Sequence, residues 1–215
     1  MWIRKSAWRE DGLTEDGHPI RVLLASANSH KLREYTQILA GTGVSIVSPA
    51  DAGIALEVAE DGTTFLENAR AKAIAFSKAA DFPVMGDDSG LVVDSLGGRP
   101  GVYSRRFGSM PDDEGRMACL LQEMNKAESK STSARFICAI AVAHHGKVVF
   151  ETERSLEGTI ASAPRGKGGF GYDPVFIPDG YSATLGELSA EIKNRISHRA
   201  LAAADAASFL TESIV

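Results

Sequence analysis

The strongest constraint on the fold is the alternation that opens the chain. The largely apolar stretch from Arg21 to Ala25 is followed by a stretch over 30–39 with Leu32, Tyr35 and Leu39 on one face, and then by a second short, largely apolar run over 44–47. Short apolar runs read as buried strands and the intervening period reads as a helix, so the opening is β-α-β. Farther on, runs over 134–143 and 147–156 flank His145-Gly146, the signature of paired strands around a tight turn. Parallel-type and hairpin-type pairing in one chain predict an α/β fold on a mixed, twisted sheet with flanking helices. Between these elements the pattern predicts a helix from Thr63 or Thr64 to Ala80 and a strand through Val84 and Met85 that ends in a turn over 86–90. It also predicts a short strand over 91–94, a helix over 112–124, a glycine-rich loop over 165–172, a strand over 175–177 and an alanine-rich last helix over 199–210.

Length and composition narrow the class. A chain of 215 residues predicts one domain, with room for two lobes, and 44% apolar with 24% charged residues excludes disorder, collagen and coiled coil. The longest apolar run, 136–143, falls far short of the roughly 20 residues that cross a bilayer, so no membrane association is expected. Residues 1–20 mix charged and apolar side chains without the apolar block of a secretory signal, which predicts a cytoplasmic location. Cys119 and Cys138 are too few for a disulfide framework. With 23 basic against 28 acidic residues the net charge is -5, which argues against nucleic acid as a partner and leaves room for a small anion in a local basic pocket.

Several residues stand out against this background. On the helix over 64–80, at about 100° per residue, Phe65, Ala69 and Phe76 form one apolar stripe and Lys72 falls inside it. An inward ammonium needs an anionic partner, unless the side chain snorkels to water. Asp87-Asp88 follows a strand, and side-chain alternation sends the two carboxylates to opposite faces unless the chain turns there. Such a pair is either a hard-oxygen ligand set for Mg²⁺ or a solvated turn. The turn Ser26-Ala27-Asn28-Ser29-His30-Lys31 leads into a helix N-terminus, where backbone N–H groups and the dipole favour phosphate; the plain alternative is a capped helix. In Gly166-Lys167-Gly168-Gly169-Phe170-Gly171-Tyr172-Asp173-Pro174, four glycines surround one aromatic, suited to a stacked base or to a flexible loop pinned by its aromatics. Lys193 to Arg199 is donor-rich and includes His198.

In this order, Ser26-x-Asn28-x-x-Lys31, Thr64-Phe65-x-Glu67-Asn68-Ala69-x-x-Lys72-Ala73, Asp87-Asp88-Ser89-Gly90-Leu91, Gly97-Gly98-x-Pro100-Gly101-Val102-Tyr103-Ser104, Gly168-Gly169-Phe170-Gly171-Tyr172-Asp173-Pro174 and Ser197-His198-Arg199 resemble one family. It is the noncanonical purine nucleoside triphosphate pyrophosphatases, also called inosine triphosphate or XTP/dITP pyrophosphatases, and the resemblance runs from about Val22 to Leu210. It implies Mg²⁺-dependent hydrolysis of ITP, dITP and XTP to the monophosphate and pyrophosphate, in a homodimer. It also implies two lobes around a central nucleotide-binding cleft, a single pyrophosphatase domain over 21–215, and residues 1–20, with Trp2 and Trp8, as an N-terminal extension.

Carried over by position, Ser26, Ala27, Asn28, Ser29, His30 and Lys31 hold the phosphates, Lys72 reaches the triphosphate, and Glu60 with Asp88 binds Mg²⁺. Asp88 also accepts a proton from the attacking water, supported by Asp87, and Ser89 touches substrate. Phe170, Gly171, Tyr172, Asp173, Lys193, His198 and Arg199 line the base and sugar pocket, with His198 and Arg199 as donors that suit a 6-oxo purine. Rival readings are a Maf-like pyrophosphatase acting on other bases and a Mg²⁺-nucleotide sensor without turnover.

Overall fold

The computed structural model describes residues 18–212. Trp2 and Trp8, and with them nearly all of the expected extension, lie outside the described residues. The strands are β1 Ile20–Leu24, β2 Val44–Val47, β3 Val84–Val93, β4 Ser133–His144, β5 Lys147–Ile160 and β6 Phe176–Pro178. The helices are α1 Ser29–Ile38, α2 Phe65–Ser77, α3 Asp113–Lys126, α4 Ala190–Ile196 and α5 His198–Glu212. The sheet order is β2-β1-β3-β4-β5-β6. β1 runs parallel to both β2 and β3, while β5 and β6 are antiparallel, so the sheet is mixed as the sequence predicts. His145 and Gly146 join β4 to β5 with φ of 49° and 76°. Two successive left-handed residues make the turn whose twist matches that of the strands. Among the described residues no helix is long and apolar enough to cross a membrane.

Local chemistry accounts for the helix starts. Thr64 caps α2 through a capping box, its hydroxyl accepting from Glu67 N while the Glu67 carboxylate accepts from Thr64 N. Asn28 caps α1, Asp112 caps α3 and Ser189 caps α4. α4, not expected from the sequence, takes up part of the donor-rich segment before the last helix and seats Lys193 and Arg195 in its last turn.

One sequence expectation is corrected. Gly86 to Gly90 is not a turn but the middle of the continuous strand β3. Gly86 is required by packing and not by bending: a Cβ there would lie 2.1 Å from Ala69 O and 2.8 Å from Ala73 N. The backbone of α2 therefore rests directly on β3. That close approach brings Asn68 and Lys72, one turn apart on the same helix face, alongside Asp88.

The contacts separate the chain into two units, each with its own core. The first comprises the residues up to Asp88, Ala139–Glu153 and those from Arg199 onward. Leu23, Ala25, Phe76, Ala80 and Val84 pack its core under Ile54, Val58 and Phe82. Burying a side chain such as Phe76 contributes roughly 1.5–3 kcal/mol. The second unit comprises Ser89–Cys138 and Arg154–His198. Its core joins Leu91 and Val93 of β3 to Leu120 of α3, Phe136 of β4 and Val175 and Phe176 near β6. Strands β3, β4 and β5 each contribute residues to both units.

Candidate active site

In the first unit, strand alternation and α2 together build a charged cluster. Asp87 and Asp88 are consecutive residues of an extended strand, so their carboxylates diverge. Asp87 is fully buried, pairs with Lys31, and accepts a 2.9 Å hydrogen bond from Tyr35 Oη. Arg199 Nε lies 3.7 Å from the same Oδ2 of Asp87, and Arg199 Nη1 donates to Glu34 Oε2 at 2.6 Å. Burial alone would raise the Asp87 carboxyl, but Lys31, Arg199 and Lys72 outweigh it and hold the group well below the usual carboxylate range. Asp87 is a fixed anion that organises two cations.

Asp88 meets a different set. Its Oδ2 accepts from Asn68 Nδ2 at 2.9 Å, and its Oδ1 lies 3.7 Å from Lys72 Nζ. Lys72 also donates to Glu60 Oε1 at 2.7 Å. Burial pushes the Asp88 carboxyl upward, partly offset by Lys72, Lys31 and the Asn68 amide. Burial works against the charge of Lys72, yet Asp88, Asp87 and Glu60 keep its pKa above the ordinary lysine value. The ammonium found in the apolar stripe therefore has carboxylate partners and does not snorkel: Lys72 is 7% exposed.

The Ser26 to Lys31 turn combines capping with phosphate-ready geometry. Asn28 Oδ1 accepts from His30 N at 2.9 Å and Lys31 N at 3.4 Å, and Ser26 Oγ accepts from Asn28 N at 3.2 Å. These amides, expected to be open, are engaged by the turn's own side chains. Ala27, Ser29 and His30 are exposed, and His30 Nδ1 lies 2.9 Å from Arg33 Nη2.

The second unit gathers the aromatic set. Asp173, 2% exposed, pairs with Lys193 and accepts from Phe170 N at 2.7 Å. Lys193 Nζ stands 5.0 Å from the Phe170 ring centroid, a cation–π geometry. Tyr172 is held by its hydroxyl, which donates to Ser104 O at 2.9 Å, and burial keeps that phenol protonated. Gly171 N donates to Asp113 Oδ2 at 2.7 Å. His198 stacks on Phe136 at 4.7 Å with planes 7° apart. Ser89 is half-buried on β3 in this unit.

Arg199, which the sequence groups with His198 as a donor to the base, has its guanidinium against Glu34 and Asp87 in the first unit. The two residues are consecutive in α5 and project about 100° apart, so one helix start serves two surroundings. Sequence reasoning gave no functional role to Glu34, Tyr35, Asn68, Ser104 or Asp113. Asn68 had one signal, its place one turn before Lys72; the others act through partners tens of residues away.

The donor set near Lys72 fits a hard divalent cation. Glu60 Oε1 and Asp88 Oδ1 converge on one ammonium at 2.7 and 3.7 Å, so both carboxylates already face a common cation position. Both ligands are oxygens, the chemistry of Mg²⁺, which is held by one or two carboxylates plus phosphates and water. Among the described residues no group of three His, Cys, Asp or Glu gathers to hold a metal by protein ligands alone.

The model of the Ham1 family matches residues 22–209. A dITP/XTP pyrophosphatase of Geobacillus kaustophilus is 48% identical over 182 residues, covering 84% of this chain and 89% of the relative. One from Bacillus subtilis is 45% identical over 179 residues, covering 83% and 90%. Among solved structures, a HAM1 protein from Coxiella burnetii superposes with a TM-score of 0.80 at 36% identity, covering 90% of this chain and 99% of that one.

Proposed function

The chain belongs to the Ham1 family, and from that premise we propose that it hydrolyses dITP, XTP and ITP to the nucleoside monophosphate and pyrophosphate. The observation that carries the reading is the cluster of buried Asp88 and Lys72 with half-exposed Glu60, with Asn68 fixing one Asp88 oxygen. In the reaction, water bonds to phosphorus, the α–β bridging P–O bond breaks, pyrophosphate leaves, and the water proton passes to Asp88. Burial makes that carboxylate a better proton acceptor than an exposed aspartate. Asp87 holds Lys31 and Arg199, and Lys31 with Lys72 places positive charge against the phosphates. The Ser26 to Lys31 turn binds a phosphate oxygen by exchanging the Asn28 cap for the ligand on its N–H groups. Glu60 and Asp88 would hold Mg²⁺, which when bound neutralises charge on the phosphoryl oxygens.

The second unit supplies the groups for the base. Phe170 offers a ring face for stacking, with Gly171, Tyr172 and Asp173 fixing its loop. Lys193 and His198 are donors suited to a 6-oxo purine, where the 6-amino group of adenine would set donor against donor. Ser89 lines the substrate on β3. In keeping with the family we take the active form to be a homodimer working in the cytoplasm, without nucleic acid or membrane partners.

The test is a nucleotide panel. Purified protein with Mg²⁺ is offered ITP, dITP, XTP, GTP, ATP and dTTP separately. Fast turnover of the first three and slow turnover of the rest is expected; preference for dTTP would favour the Maf-like reading, and tight ITP binding without turnover the sensor. The role of Lys72 is checked by Lys72→Met, expected to raise the KM for ITP about tenfold or more through loss of a charge-assisted contact. The same change leaves Asp88 buried without its counter-charge, so the Tm falls as well. A wild-type KM in that variant would make Lys72 a structural counter-ion only.

A further inference from the structure

We infer that Asp113, oriented by Arg116, is a positioning residue that fixes the Phe170 loop for base stacking; this rests on the functional reading above. The loop has no regular structure of its own to hold it. Gly169 and Gly171 lie at φ of +71° and +65°, conformations that glycine adopts freely and that carry a large entropy cost to immobilise. Three consecutive residues are nevertheless tied down. Phe170 N donates to Asp173 Oδ2 at 2.7 Å, Gly171 N donates to Asp113 Oδ2 at 2.7 Å, and Tyr172 Oη donates to Ser104 O at 2.9 Å.

Asp113 is the tie from outside the loop that reaches its backbone next to the aromatic ring. It stands in the first turn of α3, and its other oxygen pairs with Arg116 one turn later. Arg116 is itself anchored, its Nη1 donating to Met110 O at 3.0 Å. The carboxylate is thus held at both oxygens and points at Gly171 before any ligand arrives. Asp173 and Lys193 fix the ring from another side, since Asp173 pairs with Lys193 and Lys193 stands 5.0 Å from the Phe170 ring centroid. A ring already fixed in direction spares the ligand the cost of ordering the loop, so the gain falls on base affinity.

That assignment separates base binding from phosphate binding and chemistry. Asp113→Ala is expected to raise the KM for ITP about tenfold, to leave kcat within about twofold, and to leave competitive inhibition by inorganic pyrophosphate unchanged. Asp113→Asn, which keeps an acceptor for Gly171 N, should restore most of the KM. If Asp113→Ala does not fold, Arg116→Gln keeps the Asp113 carboxylate but removes the cation that orients it, and should move KM in the same direction by about threefold. An unchanged KM, or pyrophosphate inhibition that weakens in step with KM, would overturn the inference. A lower Tm with a reduced active fraction and a wild-type KM would make Asp113 merely structural and overturn it too. Wild-type protein that leaves ITP, dITP and XTP intact overturns the functional reading and this inference with it; wild-type turnover with no KM change in the variants overturns the inference alone.

Discussion

Asp88→Asn is expected to reduce turnover of ITP by about 10³-fold or more, with the fold intact. The substitution removes the proton acceptor and one carboxylate facing the proposed cation position while keeping the side-chain shape. Because burial of a charged Asp88 is itself unfavourable, neutralising it costs the fold little, and the loss of the Lys72 attraction is offset by that relief. The change in Tm should therefore be small. Asn68 Nδ2 now needs an acceptor from the new amide, whose oxygen can take the Oδ2 position, leaving the NH₂ toward Lys72. Steady-state rates with a melting curve on the same sample check both halves. Turnover near wild type would remove Asp88 as the base.

Gly86→Ala should do the reverse, failing at the level of the fold. The added methyl would lie 2.1 Å from Ala69 O and 2.8 Å from Ala73 N, and because both are α2 backbone it has no flexible neighbour to displace. Either α2 lifts from β3 or β3 distorts, at a cost of about 3 kcal/mol or more. For a chain of this size that lowers Tm by roughly 6–12 °C. Any rise of α2 also withdraws Asn68 and Lys72 from Asp88, so residual folded protein should lose activity. An unchanged Tm would mean that the contact is not as close as described.

These two positions of β3, with Asp87 between them, also show where the sequence was and was not legible. The β-α-β opening, the hairpin at His145-Gly146 and the inward Lys72 were readable because each rests on local periodicity or turn chemistry. The run Gly86 to Gly90 reads as a turn because glycine, aspartate and serine all favour turns locally, yet it lies within β3. What keeps it extended is tertiary: α2 packed onto Gly86, and cations meeting the two diverging carboxylates. α4 went unseen because seven residues offer barely two turns of pattern, with Ser189 as its main signal.

The site divides along the same line. Asp87, Asp88, Lys72 and the Phe170 loop were legible from residue type and motif order. Their supports were not, since Tyr35 reaches Asp87 across 52 positions and Asp113 reaches Gly171 across 58. Tyr35 looked like a core aromatic because its ring is one; only its hydroxyl reveals the second role. His198 and Arg199 are sequence neighbours whose contacts no local pattern reveals, the first stacking on Phe136 and the second lying against Asp87.

The central claim, cleavage at the α–β bond of a noncanonical purine triphosphate, is tested most directly by identifying the phosphate products from ITP and XTP with and without added inorganic pyrophosphatase. The account predicts one monophosphate and one pyrophosphate per substrate, with orthophosphate appearing only after pyrophosphatase is added. Diphosphate with orthophosphate from the outset would contradict it.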